Sequence, residues 1–169
     1  MKPVMSAVRE QEERYSQGEE RPLRSYAAMT GIYCAAVAAL AGAAQLTGRR
    51  PERPGVFDTV LIGVATHKLS RLIAKDPVTS PLRAPFTRYE GTTGPAELAE
   101  QVRGHGVRHA VGELITCPFC MAQWVAFGFT AGLTFTPRAA RLAAAMMTAV
   151  ASADWLQLAY AWLQQAAGQ

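Results

Sequence analysis

Cys117-Pro118-Phe119-Cys120 is the most specific chemical spacing in the chain. Two cysteines three positions apart can ligate one metal ion or close a reversible disulfide, and an adjoining helix N-terminus favours the thiolate. His105, His109, Glu113 and Cys117 follow at intervals of four, so one continuous helix would align them on a stripe beside Cys120 and offer the rest of a zinc set. Gly104, Gly106 and Gly112 weaken such a helix. No strand precedes the cysteines in the manner of a thiol oxidoreductase. Three readings follow: zinc on Cys117, Cys120, His105 and His109; dithiol redox chemistry; or cysteines with a structural role, which is the expected one. Cys34, in the middle of an apolar stretch, reads as a small core residue.

A second constellation is basic. Lys68, Arg71, Lys75 and Arg83 bracket Asp76-Pro77 and gather positive charge, as a contact for lipid or another anion would. The simpler role for the same residues is anchoring at a membrane surface, with Asp76 pairing with one base or capping the next turn. Asp154 stands alone among apolar residues, and a carboxylate inside a membrane is costly enough to imply a partner or a function. Trp124, Trp155, Tyr160 and Trp162 read as packing and interfacial aromatics.

The elements that carry these residues are read from where charge is missing. The chain has 169 residues, 50% hydrophobic and 18% charged, with three cysteines and a net charge of +4, which excludes a disordered chain and a disulfide scaffold. Residues 26–46 and 114–135 hold no charge, and 142–163 hold only Asp154. Each stretch is as long as the roughly 20 residues that cross a bilayer core. A fourth, 56–73, is apolar at its centre and has Asp58, His67, Lys68 and Arg71 towards its ends, where long basic side chains snorkel. The expected fold is therefore all-α and polytopic, with four transmembrane helices, a charged tail over 1–25, a membrane domain over 26–169 and a structured loop between the second and third spans.

The tail holds five acids among its bases, unlike a cleaved signal peptide, so the first span is expected to be a retained anchor. Five bases in the tail and five in the middle segment face five in the other two connections, which predicts that both termini lie in the cytoplasm. The middle segment opens on Asp76-Pro77 and Ser80-Pro81, breaks at Gly91 and Gly94-Pro95, and is expected to resume as a helical turn or two over 96–103. Gly128 and Gly132, and the repeat Ala27, Gly31, Ala35, Ala39 and Ala43, let helices approach closely. Packing within the chain is the expected use, and a homo-oligomer through Gly128 and Gly132 the other.

Arg71-Leu-Ile, Asp76, Pro81, Arg83 and Phe86, followed by Glu113-Leu-Ile-Thr-Cys117-Pro-Phe-Cys120 with Trp124, resemble a family of small bacterial membrane proteins known as domain of unknown function 1360. The resemblance covers about 57–162. It implies a membrane location, relatives in some spore-forming bacteria, and no defined activity. No nucleotide loop, nucleophile elbow or paired-carboxylate arrangement appears. The expected role is thus a non-enzymatic membrane scaffold or interaction protein, with lipid and unidentified proteins rather than nucleic acid as partners. The alternative is a metal-binding or thiol-redox membrane protein built on Cys117 and Cys120.

Overall fold

A computed structural model describes residues 10–12, 14–16, 21–49 and 54–168. The charged tail expected over 1–25 falls largely outside them. Helix α1 (Leu23–Leu46) is followed by α2 (Val56–Lys75), a 3-10 turn (Pro77–Thr79) and the single turn α3 (Ser80–Arg83). Strands β1 (Thr87–Gly94) and β2 (Glu97–Val102) form an antiparallel hairpin, and α4 (Val107–Thr116), α5 (Pro118–Phe135) and α6 (Pro137–Ala166) complete the order.

Local sequence places the ends. Pro118 and Pro137 stand at the first turns of α5 and α6, where the missing N–H has no intrahelical partner to lose. Gly48, at φ +66°, closes α1 in the left-handed conformation that glycine adopts without strain. The Asp76 carboxylate accepts from the Val78 N–H at 2.8 Å and starts the 3-10 turn directly beyond α2.

Four long helices alternate in direction. Side chains of α2 and α6 meet in ascending order, Asp58 with Arg141 and Lys68 with Asp154, so these two helices run parallel. Helix α5 turns into α6 at Thr136 and is antiparallel to both. Helix α1 runs with α5: Tyr26 donates to Glu113 near the start of α5, Tyr33 packs edge-on against Trp124 at 5.3 Å, and Arg49 reaches the carbonyl of Phe135. The start of α1, the end of α2, the hairpin, α4 and the end of α6 therefore gather at one end of the bundle.

Helix α2 is the centre. Ala65 packs with Val125, Phe129 and Ala144, and Leu61, Leu69 and Met121 close around them. Small residues set these approaches, as they do where lipid supplies no hydrophobic drive between helices. A Cβ on Gly132 would stand 2.9 Å from the Cβ of Ala140, whereas one on Gly128 would meet nothing within 4 Å. Gly132→Val is expected to force α5 and α6 apart and cost about 1–3 kcal/mol, while Gly128→Val changes little. Thermal midpoints of the two variants in detergent compare them.

Three expectations are corrected. The small-residue repeat of α1 does not pack inside the chain: Ala27, Gly31, Ala35 and Ala39 are exposed, and so is Cys34, which is no core residue. The stretch 96–103 is strand, not helix, because it pairs with β1 from Thr87↔Val102 to Gly94↔Glu97 across a turn in which Ala96 takes φ +56°. Pairing and the burial of Glu100 override a composition that favours helix. The third uncharged stretch is broken at Cys117, where α4 meets α5 at 82°.

By length and apolarity, α1 and α6 are each able to cross a membrane, and α4 with α5 pass the same measure only as a bent pair. Helix α2 carries too much charge to pass it. Large apolar side chains on α1 and α6 are exposed, among them Ile32, Val37, Met146, Leu156 and Leu163. Helices with such flanks fit a chain associated with a membrane.

Candidate functional site

The last turns of α2, the facing stretch of α6 and the turn of the hairpin enclose a cleft of about 540 Å³. From α2 come His67, Lys68, Arg71 and Lys75, spaced so that all four look towards α6 or the hairpin. From α6 come Asp154, Trp155 and Leu158, and from the hairpin Pro95, Ala96 and Glu97. Three of the four bases suggested for anion contact thus share one site, together with the isolated acid of the last helix.

Its charges are balanced. Lys68 Nζ lies 2.5 Å from Asp154 Oδ2, with the lysine side chain 17% exposed and the aspartate 42%. Arg71 pairs with Glu97, which ties the hairpin turn to α2. Asp76 spends one oxygen on the Val78 N–H. Lys75 has no carboxylate paired to it among the described residues. The His67 ring sits 6.3 Å from that of Trp155 at the side of the cleft.

Arg83, the fourth base, is elsewhere. Its side chain has no exposure and is bound on every side. It donates to Glu100, itself 6% exposed, to the Ile73 carbonyl and the Thr79 hydroxyl at 2.7 Å each, and to the Asp76 carbonyl at 3.0 Å. Arg83 therefore closes the C-terminus of α2 and fastens β2 beneath it, with no face left for a ligand. Thr87 adds a bond from its hydroxyl to the Arg83 carbonyl at 3.0 Å.

The cysteine motif forms the joint between α4 and α5. Cys117 caps α5, its Sγ accepting from the Cys120 N–H at 3.2 Å, and both thiols are free. Glu113, one turn earlier, accepts from Tyr26 and from Arg21 at 3.0 Å and lies 3.5 Å from His109 Nε2. This joins the start of α1 to the joint. His105 precedes α4 and Cys117 follows it, so the four-residue repeat is not one helical stripe. Among the described residues no three His, Cys, Asp or Glu side chains gather into a metal-holding group.

Several residues that matter here were not singled out by sequence. Glu97 and Glu100 supply the hairpin's ion pairs, and Arg141 binds Asp58 through two bonds of 2.8 and 2.9 Å. A signal existed: each charge near an apolar stretch needs a counter-charge, and these are the available ones. The sequence pattern could not pair them, since partners lie 17 to 83 positions apart.

Sporulation protein YjcA of Bacillus subtilis (strain 168) is 29% identical to this chain over 110 residues, covering 63% of this chain and 93% of the relative. No solved structure matches. Residues 61–160, from the second turn of α2 to near the end of α6, match DUF1360, described as a protein of unknown function, and the chain is a member of that family.

Proposed function

We propose that this chain is a four-span inner-membrane protein that serves as a non-enzymatic scaffold, with both termini and the hairpin platform in the cytoplasm. The observation that carries the membrane reading is the treatment of α2. Its charges are what keep it from looking like a span, yet Asp58, Lys68 and Arg71 are each met by an opposite charge from α6 or the hairpin. Paired ions flanking an apolar centre, enclosed by α5 and α6, can lie at membrane depth where lone ones cannot. Helix α5, of 18 residues, reaches about 27 Å and α6, of 30, about 45 Å, so the second projects beyond a core of roughly 30 Å. Trp155, Tyr160 and Trp162 are exposed along its projecting half, as interfacial aromatics are. The scaffold role is supported by the platform, whose outer strand exposes Arg88, Tyr89 and Glu90.

Carbonate extraction and thiol labelling test this reading. The protein is expected to stay in the pellet. In a background with Cys34, Cys117 and Cys120 replaced by serine, an impermeant maleimide is expected to label Thr93→Cys from the cytoplasmic side, and Pro54→Cys and Arg138→Cys from the other. Release by carbonate, or labelling of all three from one side, overturns it.

The capped pair Cys117 and Cys120 favours a second reading, that of a metal or thiol site at the helix joint. Elemental analysis separates the two. The scaffold reading expects no stoichiometric zinc or iron and a folded Cys117→Ser, Cys120→Ser double variant. Stoichiometric zinc that is lost on His109→Ala would favour the metal site.

A further inference from the structure

We propose that the cleft between α2, α6 and the hairpin turn binds a phosphoethanolamine headgroup, a phosphate joined to a primary ammonium, presented by a membrane phospholipid. The proposal rests on the four-span reading, because it needs the cleft to stand at a lipid surface.

Charge complementarity selects the headgroup. The three cations Lys68, Arg71 and Lys75 are equalled in number by the carboxylates Asp76, Glu97 and Asp154. A basic patch that merely holds anionic lipid carries an excess of cations, and this cleft carries none. A headgroup with negative charge alone would satisfy Lys75 but lie against the partly exposed carboxylates of Asp154 and Glu97. A headgroup with both signs meets no such conflict. Its phosphate is taken by Lys75, which has no paired carboxylate among the described residues, and by the outward side of Arg71. Its ammonium is taken by Glu97 at the hairpin turn, which roofs the outer end of the cleft.

Position and shape select a lipid. Lys68 and Lys75 are separated by about 10 Å along α2, at 1.5 Å rise per residue, so the cleft runs along the helix end that the four-span reading puts at the cytoplasmic surface. A cleft of about 540 Å³ has the size of ordinary small-ligand sites. Leu72 on one wall and Leu158 and Ala161 on the other give it apolar sides, with Leu158 55% exposed. The turn at Pro95 and Ala96 roofs the polar end and is held there by the Arg71–Glu97 pair.

Native mass spectrometry of the full chain, released from nanodiscs holding equal fractions of phosphatidylethanolamine and phosphatidylglycerol, tests the proposal. Phosphatidylethanolamine is expected to be retained about tenfold over phosphatidylglycerol, the scale of one charge-assisted bond. Lys75→Gln and Glu97→Gln, both at part-exposed positions, are expected to lower that retention by a similar factor while eluting as the parent does in gel filtration. Glu97→Gln should also raise phosphatidylglycerol retention, which a general loss of packing would not do. Equal or greater retention of phosphatidylglycerol by the parent, or variants that leave the preference unchanged, overturns the proposal. Soluble glycerophosphoethanolamine that competes as strongly as the lipid would transfer the site to a soluble ligand and overturn the lipid assignment. Because carbonate extraction is read separately, an embedded protein without the preference defeats this inference alone.

Discussion

Arg83→Leu is expected to destabilise the detergent-solubilised protein by about 3–5 kcal/mol, the cost of stranding one partner of a buried ion pair. Glu100 would keep its charge at 6% exposure, with only the Thr87 hydroxyl, 3.4 Å away, to meet it. The carbonyls of Ile73 and Asp76 would lose their donor as well. Arg83→Lys restores charge but supplies one ammonium where a planar fork reaches four acceptors, so it should recover a minor part. The informative comparison is Arg83→Leu with Glu100→Leu, which removes both ions and should recover much of the loss. Thermal midpoints of the three variants check this. If Arg83→Leu melts within a degree or two of the parent, the knot beneath α2 is not a determinant of the fold.

The second large effect is expected at Asp154. In Asp154→Leu the Lys68 ammonium, on a side chain 17% exposed, loses the carboxylate 2.5 Å away. At membrane depth the cost approaches the roughly 2.5–3.5 kcal/mol assigned to a lone charge within a span, reduced by whatever reach Lys68 has towards the interface. Lys68→Leu with Asp154→Leu should restore the melting temperature, and so should exchange of the two residues. A single Asp154→Leu that expresses, inserts and melts like the parent would remove the ion pair from the account of how α2 is tolerated.

Particular residues show what sequence made legible. Uncharged runs mark α1 and α6 within a few residues, because a helix long and apolar enough to cross a membrane needs no pattern finer than the absence of charge. Pro118 and Pro137 mark where α5 and α6 begin, a purely local preference. The hairpin was hidden because Ala96, Glu97, Leu98 and Glu100 favour a helix. What makes them a strand is a partner strand and an arginine seventeen positions back. The cleft was half legible. Its bases follow from helical spacing on α2, whereas Glu97 and Trp155 join them only through the tertiary fold. The burial of Arg83 is hidden for the same reason: exposure and burial look alike in a row of letters.

The parallel pairing of α2 and α6 also bears on how the chain is made. Asp58 and Arg141 are 83 positions apart, and Lys68 and Asp154 are 86 apart. At about 5–20 residues per second of synthesis, α2 leaves the ribosome some 4–17 seconds before its counter-charges exist. A helix that enters lipid as proposed must spend that interval with its ions unmatched. It is therefore expected to wait beside the insertion machinery or lie along the bilayer surface, and to take its central place only when α6 arrives. On that reading, final assembly of the bundle waits on α6, set by the order in which charges are delivered.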